Sequence, residues 1–138
     1  MVNSCQSPVP AGFHSDMGSS FRDLIVWQRS IELTTCIYEL SATFPNSEIY
    51  GLTAQLRRTA VSIASNIAEG AGRGSKREFR QFLKVARGSN CEVQTQLLIA
   101  DRLNMANQDR IARAESLSHE VGRMLNGLLQ SLAPSTGD

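Results

Sequence analysis

Residues 50–73 read YGLTAQLRRTAVSIASNIAEGAGR, and the fold class turns on this stretch. Leu52, Leu56, Thr59, Ile63 and Ile67 recur at spacings of three and four, the period of a helix with one buried face. Ala60, Ala64 and Ala68 lie beside that stripe and let a neighbouring backbone come close. Glu69 stands four residues before Arg73, a favourable pairing on a helix. Gly70 offers a left-handed exit. The spacing therefore predicts a helix over about 47–70, capped by Asn46 or Ser47 and separated from an earlier helix by Pro45.

On the N-terminal side, a helix is expected over about 21–43, with Ser20 as N-cap and Asp23 three residues on. At about 100° per residue it carries two apolar stripes. Leu24, Trp27, Ile31, Tyr38 and Ala42 form one; Val26, Leu33, Ile37, Leu40 and Phe44 form the other, on the opposite side. A helix at the edge of a lone bundle needs only one apolar face. Two readings follow: a helix sunk deep in its own core, or a second stripe (Val26, Leu33, Ile37, Leu40, Phe44) that meets another subunit.

On the C-terminal side, Ser75-Lys76-Arg77-Glu78 is a capping box that opens a third helix. Its core stripe reads Phe79, Phe82, Ala86, Val93, Leu97 and Ala100. Asn90 falls on the same face, and a buried amide needs partners; Asn66 and water are the candidates. Gly88 weakens the helix interior and is read as a mark of close packing. Residues 104–107 make a turn. A fourth helix over about 108–132 presents Ala114, Leu117, Val121, Met124, Leu128 and Leu132 before Pro134 stops it. No alternating β-branched run competes with these helices. Four amphipathic helices with short connections predict an all-α, antiparallel up-down-up-down four-helix bundle.

At 138 residues the chain is one domain's worth. The bundle is expected over 20–133, between a flexible leader at 1–19, in which Met17 is a second candidate start, and a tail at 134–138. Three cysteines, Cys5, Cys36 and Cys91, are odd in number and far apart, so neither a disulfide framework nor a zinc spacing is present. There is no secretory signal and no uninterrupted apolar run long enough for a bilayer. A cytoplasmic protein without a membrane partner is expected. The formal net charge is only +1, yet residues 57–87 hold eight Lys/Arg against two Glu, a local excess of +6. Such asymmetry implies an oriented surface field.

Lys76, Arg77, Arg80, Lys84 and Arg87 fall within about 100° of the third helix and span about 16 Å of its axis. Arg57, Arg58 and Arg73 extend this patch if the second and third helices are neighbours. Two readings are open: a solvated face paired with Glu32, Glu39 or Glu69, or a backbone-directed nucleic-acid surface. No aromatic is interleaved, so base stacking is not indicated. Gly70-Ala71-Gly72-Arg73-Gly74-Ser75-Lys76 looks superficially like a phosphate loop, but no strand precedes it and the Gly-Lys-Ser/Thr order is missing. It reads as a flexible helix connection with at most weak anion capture. His14 lies in the leader and His119 on a helix, with no nucleophile placed by a motif, and the carboxylates, Glu115 and Glu120 among them, are dispersed. Trp27, Tyr38 and Phe44 read as core or interface residues. No catalytic site, cofactor, metal or small-molecule substrate is expected.

Several motifs carry a resemblance. They are Phe21-Arg22-Asp23-Leu24 with Trp27-Gln28, Phe44-Pro45, Glu48-Ile49-Tyr50-Gly51-Leu52 and Gln55-Leu56-Arg57-Arg58. The run from Ser62 through Asn66-Ile67-Ala68-Glu69-Gly70, then Gly72-Arg73, Glu78-Phe79, Phe82-Leu83 and Ala86-Arg87-Gly88-Ser89, complete the set. Together they resemble the four-helix-bundle proteins encoded in intervening sequences of bacterial large-subunit (23S) ribosomal RNA genes, over about residues 21–132. Cys91-Glu92-Val93-Gln94 departs from that pattern. The resemblance implies a homo-oligomer, commonly a ring of five, and no established enzymatic activity. With the basic stripe, it makes RNA or a nucleic-acid-handling protein the expected partner besides the chain itself, and a protein-interaction scaffold the alternative.

Overall fold

The computed structural model describes residues 20–134; the leader, with Cys5, His14 and Met17, and residues 135–138 lie outside the described residues. Four helices make up the fold: α1 Ile25–Ser41, α2 Leu52–Gly72, α3 Lys76–Arg102 and α4 Gln108–Ser131. Among the described residues there is no strand. Helices α1 and α3 each pack against both α2 and α4, while the diagonal pairs make no close backbone approach. The four axes therefore enclose one core. Hydrogen bonds between neighbours fix their registers. Thr34 donates to the Ala60 carbonyl and Arg57 to Ser41; Ser62 meets Ser89 and Gln96 reaches Thr59; Asn90 joins Ser118 and Arg87 joins Asn126. In each of these three pairs of helices the residue number rises on one as it falls on the other.

The helix ends show where local chemistry overrides periodicity. Ser20 caps a separate 3₁₀ turn, Phe21–Asp23, by accepting from Arg22 N at 3.2 Å, and extended Leu24 divides it from α1. The Phe21 ring packs edge-on against Trp27, 5.2 Å between centroids, so this turn lies back along α1. The expected start of the second helix at Ser47 is another 3₁₀ turn, Asn46–Glu48. α2 itself begins at Leu52, whose N–H is capped by the Glu48 carboxylate at 3.0 Å. The capping box is present: Glu78 N donates to Ser75 Oγ at 3.2 Å, and Ser75 Oγ donates to Glu78 Oε2 at 3.0 Å. Asn104 takes the left-handed conformation after α3 (φ 54°), with Met105 N bonded to Ala100 O at 3.0 Å. Asn107 then caps α4 through Asp109 N at 2.7 Å.

Gly70 does not end α2, which continues to Gly72; the left-handed residue is Gly74, φ 85°. Gly70 is buried because α3 lies against it: a Cβ there would sit 2.6 Å from Phe82 Cβ. Gly88 is the reverse case, exposed, with nothing within 4 Å of where a Cβ would lie, so it does not mark close packing.

The stripe expected to face another subunit, Val26, Leu33, Ile37, Leu40 and Phe44, lies instead in the core of this one chain, none of it more than 6% exposed. α1 must bury one side between α2 and α4, and the side rich in long aliphatic chains is the one that does. The other stripe stays largely outside, with Ile31 and Tyr38 39% and 43% exposed. On α4 the buried line runs Val121, Leu125, Leu129; Met124, Leu128 and Leu132 are only partly covered. Leu83 and Ile111 join the core as well.

Two polar devices join neighbouring helices, one inside the bundle and one at its edge. Buried Asn90 donates to the Ser118 carbonyl at 2.9 Å, and Ser118 Oγ donates back to Asn90 Oδ1 at 2.8 Å. Its partner is thus on α4; Asn66 bonds within α2, to Ser62. Between α1 and α4, Arg29 bridges Glu32 and Glu120, each at 3.0 Å. Burial works against the Arg29 charge, but Glu32 and Glu120 more than offset it and hold the guanidinium above its ordinary pKa.

Candidate nucleic-acid interface

The flanks of α3 are assigned by its partners. Phe82, Ser89 and Gln96 repeat at seven-residue intervals, and all three meet α2: Phe82 lies against Gly70, Ser89 bonds Ser62 and Gln96 bonds Thr59. Asn90 and Arg87 face α4. The five cations Lys76, Arg77, Arg80, Lys84 and Arg87 extend outward from this α4 side. Arg87 Nη1 donates to Asn126 Oδ1 at 3.3 Å, which ties the end of the stripe to α4.

The charges of this stripe are not neutralised. Among the described residues no carboxylate lies within ion-pair distance of any of the five; Arg29 pairs with Glu32 and Glu120, and Arg73 with Glu69. Two of the three carboxylates expected to pair with the stripe, Glu32 and Glu69, are engaged elsewhere. Arg80 Nε is buried without a hydrogen-bond acceptor, although the residue as a whole is partly open. A row of unpaired cations held on one rigid helix attracts a polyanion and releases its counterions on binding.

Arg57, Arg58 and Arg73 do not extend this row, although α2 and α3 are neighbours. Arg57 points to α1: its Nε donates to Ser41 Oγ at 2.8 Å, its Nη2 to Tyr38 O at 3.3 Å, and its guanidinium lies 4.7 Å over the Tyr38 ring. Arg58 lines the same α1–α2 cleft. Arg73 pairs with Glu69 at 3.2 Å and lies over Phe82, on the α2 side of α3. The apolar stripe between the flanks of α3 separates these three from the other five. Asn126 is the residue of this face that periodicity does not single out, because only the α3–α4 register brings it to Arg87.

A second surface lies between α1 and α2. Trp27, Ile31, Val61, Ala64 and Ala68 line a shallow, mainly apolar groove closed at one end by Phe21, and Val61 is 40% exposed. The signal in the sequence is the seven-residue line Ala54, Val61, Ala68 on the flank of α2 away from α3. His119 is exposed, and among the described residues no three His, Cys, Asp or Glu side chains converge as a metal centre would require. No described helix is long and apolar enough to cross a membrane.

Fold and surfaces together define an all-α four-helix protein whose distinguishing features are a cationic face and an apolar groove. The chain belongs to the 23S rRNA-intervening sequence protein family, whose model matches residues 22–127. Its fold is similar to a crystal structure, at 1.70 Å resolution, of a protein with unknown function from the S23 ribosomal protein family of Bacteroides thetaiotaomicron. That likeness has a TM-score of 0.71 at 21% identity and covers 77% of this chain and 96% of the other. No curated protein matches the chain.

Proposed function

We propose that this protein is a non-enzymatic, cytoplasmic, self-assembling bundle, in up-down-up-down order, that binds RNA through the α3 cationic face. The observation that carries the RNA reading is the row from Lys76 to Arg87 without a carboxylate partner among the described residues. No aromatic lies in the row, so contacts go to phosphates rather than bases. The falling registers between neighbouring helices support the topology. Assembly is supported by the α1–α2 groove and by the family resemblance, which implies five copies; it places several stripes on one particle, and weak sites then act together.

The test is binding of structured ribosomal RNA fragments across a salt series. Five phosphate contacts per subunit give a slope of log K against log salt of about −4, and Arg77→Glu/Arg80→Glu/Lys84→Glu lowers affinity by about 100-fold or more at low salt. Binding that is absent, or indifferent to the triple reversal, refutes RNA recognition by this face. The α1–α2 groove favours a second reading, a protein scaffold, which a pull-down surviving nuclease and high salt supports.

Assembly has its own measurement. Light scattering is expected to give several times 15.1 kDa. Ile31→Asp and Val61→Asp, on the exposed groove, reduce it to the monomer with helix content unchanged. A monodisperse wild-type monomer at micromolar concentration overturns this part. Leu33→Asp and Ile37→Asp are unsuited to the purpose, because both side chains are core residues whose loss unfolds the bundle.

A further inference from the structure

We propose that the groove at Arg58 receives the outward face of α3 from a second copy, with Glu92 of that copy set against Arg57 and Arg58. This rests on the self-assembly reading and names the two surfaces that meet. One is the α1–α2 cleft where Tyr38 and Val61 are 43% and 40% exposed beside Arg57 and Arg58. Arg57 is held by Ser41, the Tyr38 carbonyl and the Tyr38 ring, none of which carries a negative charge. Among the described residues neither arginine has a carboxylate within ion-pair distance. An apolar cleft edged by two uncompensated guanidiniums fits an apolar strip that carries a carboxylate.

The chain has such a strip. Val85, Glu92 and Ile99 follow one another at seven-residue intervals on α3, drifting by only about 20° per step, so they form one line about 21 Å long. Val85 is 52% and Ile99 43% exposed, so the line offers apolar surface on both sides of Glu92. Glu92 is exposed between them, and no ion pair to it is found among the described residues. A phosphate backbone fits the cleft less well: it does not fill an aliphatic floor, and the Tyr38 face a base would stack on is covered by Arg57. The cleft and the strip are different surfaces of the chain, so repeated head-to-tail contacts of this kind form a ring where the rotation between copies closes and an open array where it does not. The cationic row lies on another flank of α3 and stays open.

The test is a charge swap in the full-length protein, read as mass against concentration by light scattering. Glu92→Arg and Arg58→Glu are each expected to raise the concentration needed for assembly by about tenfold or more, since like charges then meet. The double variant Arg58→Glu/Glu92→Arg is expected to restore assembly to near the wild-type concentration. Glu92→Gln, which removes the charge with little change of shape, gives an intermediate effect. If wild type assembles but the single reversals assemble equally well, or the double variant shows no recovery, this pairing is wrong and self-assembly stands on other contacts. A monomeric wild type instead removes the self-assembly reading itself, and this pairing with it.

Discussion

Gly70→Ala is expected to lower the melting temperature by roughly 5–10 °C, despite alanine being the better helix former. In an open helix the change would stabilise by about 1 kcal/mol. At Gly70 the new methyl would lie 2.6 Å from Phe82 Cβ and 3.1 Å from Phe79 Cδ1. No rotamer change relieves the first contact, because a Cβ moves only with its backbone, so α2 and α3 must separate. Overpacking of this kind costs about 1–3 kcal/mol and occasionally more. With a contact this short the upper end applies, which leaves a net loss of about 2 kcal/mol. Gly88→Ala is the control: it also lies within a helix, but open space surrounds its Cβ, and it gains about 0.5–1 kcal/mol. Thermal melts of the two variants moving in the same direction would contradict the packing assigned to α2 and α3.

Asn90→Ala is expected to cost about 2–4 kcal/mol in denaturant unfolding. The substitution removes both hydrogen bonds between α3 and α4 at this level. It also leaves a hole and strands the Ser118 hydroxyl in a site that is 0% exposed. Stranding a buried partner costs more than the bond itself contributes, so Asn90→Leu/Ser118→Ala should recover part of the loss relative to Asn90→Leu alone. Additive losses in that cycle would mean the two side chains do not act as a pair. The pair also opposes slippage between α3 and α4, and it is that register which brings Asn126 to Arg87.

Helix number and most core positions were legible because a 3.6-residue period needs nothing beyond local order. Ile63, Ile67, Val93, Leu97 and Val121 stand in the expected stripes and are fully buried. The capping box at Ser75 was legible for the same reason, since donor and acceptor are three residues apart. The candidate site was readable only in part. The five cations on α3 share one face by periodicity alone, whereas the destinations of Arg57, Arg58 and Arg73 depend on which neighbour each flank meets.

By itself, the sequence determined an all-α protein of four amphipathic helices, a first helix apolar on two sides, and a cationic row on the third. Only the tertiary structure decided which side of α1 is inside. Both stripes satisfy the helical period, and the choice falls to the long aliphatic chains that fill the space between α2 and α4. The same holds for Gly70 and Asn90, whose roles come from what another helix places against them. Local periodicity specifies faces, whereas contact between faces is a property of the assembled core.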